Sequence, residues 1–223
     1  HIGWLLDAYA REKQQPNAER IFAMLCRFGT AAATEAITRL HKAGSAQTAA
    51  LLRVVRGCGD ASCIEDVRTL LNRSDIQLKL EAIKTLVRLR DTAVVPVLRE
   101  LLLSANASVK KQILLIVREY SVKELAPDLA AFLKTRYITG ADLKQNKAVL
   151  GILGGLGNEN VLPRLNAIAR ARVSITPLHL RRTKEFLYTT LDGYPRARVK
   201  NLVLRGLRSS NKTIQNICRS MNG

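Results

Sequence analysis

The stretch Asp91-Thr-Ala-Val-Val-Pro-Val-Leu-Arg-Glu-Leu-Leu102 decides the fold, because three other stretches of the chain repeat its pattern. Residues 60–71 precede it at a spacing of 31, residues 122–133 follow at 31, and residues 158–169 follow after a further 36. A period of this length is typical of arrays in which each short unit buries its apolar face against the next unit. The chain is therefore predicted to be a repeat protein.

Each copy has the pattern of a short helix that follows a turn. When the first residue is numbered zero, apolar side chains recur at positions 4, 7, 10 and 11, which share one face of an α-helix. Position 5 is proline in three copies (Pro96, Pro127 and Pro163) and Glu65 in the fourth. Proline suits the first turn of a helix, where its missing N–H costs least.

A longer apolar stripe precedes the copies and predicts a first helix for each hairpin. The stripes run over residues 78–89, 109–120 and 149–156. Residues suited to helix caps stand before them, namely Ser74, Asn106 and Gly140. Weaker copies at 18–43 and 177–207 predict further helix pairs, and outer repeats are expected to be atypical because one side meets solvent.

The segment from Leu78 to Leu102, with Asp at its turn and Pro in its second helix, resembles the HEAT-repeat family in its short bacterial form. The resemblance is clear over residues 45–171 and implies an all-α fold, a right-handed α-α superhelix of about six helix pairs. It further implies a scaffold that holds a partner on a curved surface, and no enzymatic activity.

Three segments are predicted along the chain. Residues 1–17 form an N-terminal helix that continues from preceding sequence, residues 18–207 form the repeat array, and residues 208–223 form a capping helix and tail.

The chain is strongly basic, with 36 Lys and Arg against 18 Asp and Glu, a net charge of +18. Residues 134–223 hold 17 of these cations and only 4 acids, so most of the excess lies in the C-terminal half. Such a charge predicts a partner with an acidic surface. A protein is the first hypothesis, and a nucleic acid bound by the same face is the alternative.

The residues predicted to contact the partner are basic side chains of the second helices and of two clusters near 181 and 198. Several fall in rows of equivalent repeat positions, such as the row Arg68, Arg99, Ala130, Asn166 and Lys200, which is expected to face solvent. The full set is Arg68, Arg99, Lys134, Arg164, Arg170, Arg181, Arg182, Arg198, Lys200 and Arg205. Arginine is favoured for phosphate or carboxylate recognition by its planar fork of donors.

Other chemistry has weaker signals. A nucleotide-binding loop at 151–157 lacks the preceding strand that such a loop needs, and closely packed helices explain its glycines better. His1, His41 and His179 have no metal-ligand spacing, so no metal and no cofactor are expected. Neither a small-molecule substrate nor a membrane span is evident, and the location is predicted to be cytoplasmic.

Two alternatives stay open. A HEAT-like DNA glycosylase would be basic too, but it needs aromatic residues and a catalytic Asp on the concave face, and the single Trp, Trp4, lies outside the clear repeats. Cys58 and Cys63 flank a turn, so they either form a disulfide or remain two buried thiols, the commoner case.

Overall fold

Fourteen α-helices form the regular structure of the computed structural model, which describes residues 1–40, 42–172 and 174–222. No β-strand occurs among these residues, and the predicted all-α helical-repeat fold is confirmed. The chain divides into two compact units, residues 1–105 and 106–223. The predicted subdivision at residues 17 and 207 stays a prediction.

The first unit stacks its helices around a core of fully buried leucine, isoleucine and valine side chains. Helix α4 packs on α3 and α6, and α1 packs on α2, α3 and α4. The helices of this unit are α1 (Ile2–Arg11), α2 (Gln15–Arg27), α3 (Thr30–Leu40), α4 (Ser45–Cys58), α5 (Ile64–Thr69), α6 (Ile76–Arg88) and α7 (Val95–Ser104).

The second unit repeats this stacking. Its helices are α8 (Ala107–Tyr120), α9 (Ala126–Ala131), α10 (Gly140–Leu156), α11 (Leu162–Arg170), α12 (Pro177–Thr189), α13 (Arg196–Leu207) and α14 (Lys212–Asn222). The first helices of successive pairs contact one another, α8 with α10 and α10 with α12, while the second helices α11 and α13 also touch. Helix α14 packs on both α12 and α13 and ends this stack.

The four repeat copies share one backbone form, in which positions 1 to 3 make a 3₁₀ turn and the α-helix begins at position 4. The 3₁₀ turns are Ala61–Cys63, Thr92–Val94, Lys123–Leu125 and Glu159–Val161. Position 7 is fully buried in every copy, as predicted. Position 4 is fully buried only at Ala126, and position 3 takes its place in the core, because a 3₁₀ turn rotates about 120° per residue rather than about 100°.

Position zero caps this turn with a side chain in three copies. The Asp60 and Asp91 carboxylates accept the backbone N–H groups of Ser62 and Ala93, each at 2.9 Å, and the Asn158 side chain accepts that of Asn160 at 3.0 Å. Each bond satisfies an N–H that has no partner within its own turn. The copy that begins at Val122 has no such side chain at position zero.

The caps of the first helices were predicted with mixed success. Asn106 caps α8 and accepts the N–H of Val109 at 3.0 Å. The prediction of Ser74 as the cap of α6 was wrong. The cap is the next residue, Asp75, whose carboxylate accepts the N–H groups of Gln77 and Leu78. Gly140 was also wrong, since it is the first residue of α10. Thr139 is its cap, in a reciprocal capping box with Asp142.

The glycine-rich stretch 151–157 lies in α10 and at its C-terminus, and its glycines have different surroundings. The backbone of Gly154 meets Thr190, where an added Cβ would stand 2.8 Å from the Thr190 Cβ. Gly157 ends the helix in the left-handed region with φ of 57°, a conformation that glycine adopts without strain. Gly151 and Gly155 face open space on the exposed side of the helix.

A buried asparagine fixes the segment that joins α9 to α10. Asn146 of α10 is fully buried, and its side-chain oxygen accepts the Lys134 N–H at 3.1 Å. Its amide group donates to the Lys134 carbonyl at 2.9 Å and to the Thr183 hydroxyl at 3.2 Å. A single side chain therefore supplies the hydrogen-bond partners that the irregular backbone at Lys134 would otherwise find in regular secondary structure.

Candidate interaction surface

The positive charge is concentrated in the second unit. Residues 106–223 carry 21 Lys and Arg against 7 Asp and Glu, a net charge of +14, and residues 1–105 carry the remaining +4. Of the ten residues predicted to contact a partner, Arg68 and Arg99 belong to the first unit and the other eight to the second.

Arg68 has its charge satisfied inside the first unit. Its guanidinium makes a two-bond contact with Asp91, from Nε at 2.8 Å and Nη2 at 2.6 Å, and Nη1 reaches Glu65 at 2.6 Å. The Asp91 side chain is only 4% exposed, so this is a partly buried fork-to-fork pair. Arg68 thus joins two repeats, whereas Arg99 is an exposed residue of α7.

We expect the pair of Arg68 and Asp91 to make the stability of the chain depend on pH. The guanidinium beside it holds the pKa of Asp91 below the usual 3.8. A lowered carboxyl pKa gives stability that is fully present above about pH 4 and is lost as the pH falls through the folded-state value. Asp91→Asn should therefore lower the urea midpoint near pH 7, and its deficit should shrink below pH 4.

Glu65→Gln is the control for that measurement, because Glu65 contacts the same arginine with a side chain that is 80% exposed. Its effect on the urea midpoint should be the smaller one. A deficit of Asp91→Asn that stays constant from neutral to acidic pH contradicts the role given to the ion pair.

Two predicted residues are held against the protein at the α9–α10 connection. Lys134 pairs with Asp142 at 2.8 Å, and this pairing, together with hydrogen bonds from the Thr139 backbone and hydroxyl, lowers the pKa of Asp142 to about 2. Arg164 of α11 donates from Nη2 to the Leu133 carbonyl at 2.8 Å. Both side chains lie at the surface, but each has a structural contact that a partner would have to share or displace.

Two more of the predicted contact residues, Arg181 and Arg198, make exposed ion pairs. Arg198 meets Glu159 at 2.9 Å and Arg181 meets Glu185 at 3.3 Å, with the arginine side chains 66% and 61% exposed. Such pairs contribute about 0–1 kcal/mol, so these arginines can be redirected towards an anionic partner at little cost.

The remaining predicted residues are exposed cations. Arg170, Arg182, Lys200 and Arg205 lie at the surface of α11, α12 and α13, and in the described part of the chain none has a hydrogen bond or ion pair from its side chain. One member of the predicted solvent-facing row is wrong, since Ala130 is buried at 3% exposure. The short helix α9 turns that position towards its neighbours.

Two further cations belong with this surface: Arg172, which the sequence interpretation did not name, and Lys184, which it named as part of the cluster at 181–184 but left out of the set of contact residues. Arg172 lies in the connection from α11 to α12, and Lys184 lies on α12 one turn after Arg181. Burial, together with the neighbouring charges of Arg172 and Arg205, lowers the pKa of Lys184. We name Arg172, Arg181, Lys184 and Arg205 the basic cluster. The alternating Arg170-Ala-Arg172 was the sequence signal for its first member.

The cysteines and His179 were also considered as reactive or metal-binding groups. All four cysteines are free, and burial raises the pKa of the Cys58 and Cys218 thiols to about 11. His179 bonds to the Ile138 carbonyl, while His41 lies outside the described residues. Within the ranges that the structure describes, no three His, Cys, Asp or Glu side chains stand close enough to hold a metal ion, and no helix has the length and apolar character to cross a membrane.

Comparison with known proteins bears on the repeat. No curated protein matches the chain. The family model described as PBS lyase HEAT-like repeat matches residues 78–104, which span nearly all of α6, the 3₁₀ turn after it and the whole of α7. The segment that most clearly carried the predicted resemblance is therefore identified as a HEAT-like repeat.

Proposed function

We propose that the chain acts in the cytoplasm as a non-catalytic helical-repeat scaffold, and that the basic surface of its second unit binds a protein with an acidic face. The observation that carries the proposal is the set of exposed cations on α11, α12 and α13, of which Arg170, Arg182, Lys200 and Arg205 make no ion pair with another described residue. HEAT-like repeats commonly mediate protein interactions, so the fold supports the same assignment.

A charge-removal series tests the proposal. The variant Arg170→Gln, Arg182→Gln, Lys200→Gln removes three exposed cations of this surface. The matched control, Arg73→Gln, Arg88→Gln, Arg118→Gln, removes the same charge from exposed positions outside it. With a labelled poly-glutamate peptide as the acidic probe, we expect the first variant to bind about tenfold more weakly, since each exposed charge contact is worth roughly 0.2–1 kcal/mol.

The control has the same net charge as the first variant but keeps the cations of the surface. We therefore expect it to retain binding within about threefold of the wild type. Equal losses in the two variants indicate a generic effect of charge and contradict the proposal.

The alternative of a nucleic-acid-binding module is tested with labelled duplex and single-stranded DNA across a salt series. Neutralising three phosphates gives a log–log slope of about −3, from counterion release. Tight binding near physiological salt, with a slope that the first variant flattens and the control does not, favours this alternative over a protein partner. Binding that vanishes well below physiological salt leaves the protein-binding proposal in place.

A further inference from the structure

A groove in the second unit gathers small polar groups and more cations than anions. It has a volume of about 360 Å³, within the range of small-molecule sites. Its polar lining comes from α12, from the connection before it and from the connection between α13 and α14. The polar lining residues are Arg172, Arg181, Lys184, Ser209, Ser210 and Asn211.

The formal charges at the groove leave an excess of two. Arg172, Arg181 and Lys184 supply three positive charges, and the one acid held beside them is Glu185, which accepts from Arg181 at 3.3 Å and from the Asn211 amide at 2.7 Å. Arg205 of the basic cluster adds a further positive charge nearby, since its repulsion, like that of Arg172, lowers the pKa of Lys184.

The like charges of this cluster repel one another. Burial, with repulsion from Arg172 and Arg205, lowers the pKa of Lys184, so the ammonium form has lost stability relative to water. Its hydrogen bond to the Ala171 carbonyl, at the end of α11, explains why the side chain lies here, but among the described residues no carboxylate forms an ion pair with it. A bound anion would offset the repulsion and supply a counter-charge to the buried ammonium group.

We propose that this groove binds a phosphomonoester dianion. A dianion neutralises two of these positive charges, whereas a phosphodiester or a carboxylate neutralises one. The guanidinium groups of Arg172 and Arg181 present forked donors that suit phosphate oxygens, and the Ser210 hydroxyl is a neutral donor at the same place. The inference goes beyond the proposed function, because the groove can bind a phosphate ester whether or not the surrounding surface binds a protein.

The rim of the groove adds an apolar element. The apolar lining consists of Ala171, Pro177, Leu180 and Ile214. An ester whose organic group is apolar therefore gains contact area at the rim that inorganic phosphate lacks. This makes phenyl phosphate the preferred probe, with dimethyl phosphate as the singly charged diester and acetate as the carboxylate.

Titration calorimetry at about pH 7.5 and constant ionic strength measures the four affinities, inorganic phosphate included. We expect saturable binding of phenyl phosphate, and dimethyl phosphate and acetate at least tenfold weaker. Arg172→Gln, which removes an exposed side chain with no described partner, should weaken phenyl phosphate at least fivefold. Lys184→Met should do the same, and Lys144→Gln, an exposed cation of α10, should not.

Equal binding of monoester and diester overturns the proposal, as does an equal loss in Lys144→Gln or no saturable binding at all. A short phosphoserine peptide distinguishes two sources of the group. Tighter binding of the peptide than of phenyl phosphate identifies a phosphorylated protein, and the reverse identifies a small phosphate ester. The variant Arg170→Gln, Arg182→Gln, Lys200→Gln leaves the lining of the groove intact, so failure of the proposed function is seen separately from failure of this site.

Discussion

Replacing Asn146 by alanine should lower the free energy of unfolding by about 2–4 kcal/mol, the effect of losing three hydrogen bonds at about 0.5–1.5 kcal/mol each. The change leaves the Lys134 N–H, the Lys134 carbonyl and the buried Thr183 hydroxyl without the partner that each has in the native chain. Urea unfolding followed by circular dichroism measures the loss.

Asn166→Ala is the matched control. Asn166 is half-buried, and its amide bonds only to the Leu162 carbonyl of its own helix, at 3.1 Å. Alanine has the higher helix propensity, so the control should lie close to the wild type. If Asn146→Ala proves no more destabilising than Asn166→Ala, the joining segment does not depend on its asparagine.

Two neighbouring glycines of α10 should respond to alanine with opposite signs. Gly154→Ala places a methyl group 2.8 Å from the Thr190 Cβ and 2.9 Å from its carbonyl oxygen, so either the helix or the turn has to move. Overpacking of this kind costs about 1–3 kcal/mol. Gly155→Ala meets nothing within 4 Å and should raise stability by about 0.5–1 kcal/mol through helix propensity.

The same urea measurement compares the two variants, and each serves as the control of the other. A gain in stability from Gly154→Ala shows that the close approach of α10 to the turn at Thr190 is not required. The glycines of this stretch would then have no packing role.

The fold could be predicted because the repeat pattern depends on residues that lie close together in the sequence. Proline at position 5 in three copies and an apolar residue at position 7 in all four specify the same hairpin, and the position-7 side chain is fully buried in every copy. The fate of individual arginines depends on contacts between repeats. Arg68, at position 8, pairs with Asp91, which is position zero of the next copy. Arg99 occupies the same position, but its next copy begins with Val122.

The candidate site was less accessible to prediction for a related reason. Arg172, Ser210 and Asn211 lie in connections between helices, outside the periodic stripes, so no repeat position draws attention to them. The hydrogen bonds of Asn146 could not be predicted either, because they depend on the path of the irregular segment between α9 and α10. Asn146 stands in the polar run Lys144-Gln-Asn-Lys147, so its sequence neighbours offered no signal of its burial.

The position-zero caps have a consequence for how such a chain can grow. Asp60, Asp91 and Asn158 each satisfy a turn that lies two residues further along the same copy, so a repeat contains the polar groups that close its own hairpin. A gene duplication of about 31 codons therefore inserts a unit whose turn is already satisfied and whose apolar face matches its neighbours. Arrays built in this way can lengthen or shorten by whole repeats, while a charged surface at one end evolves separately.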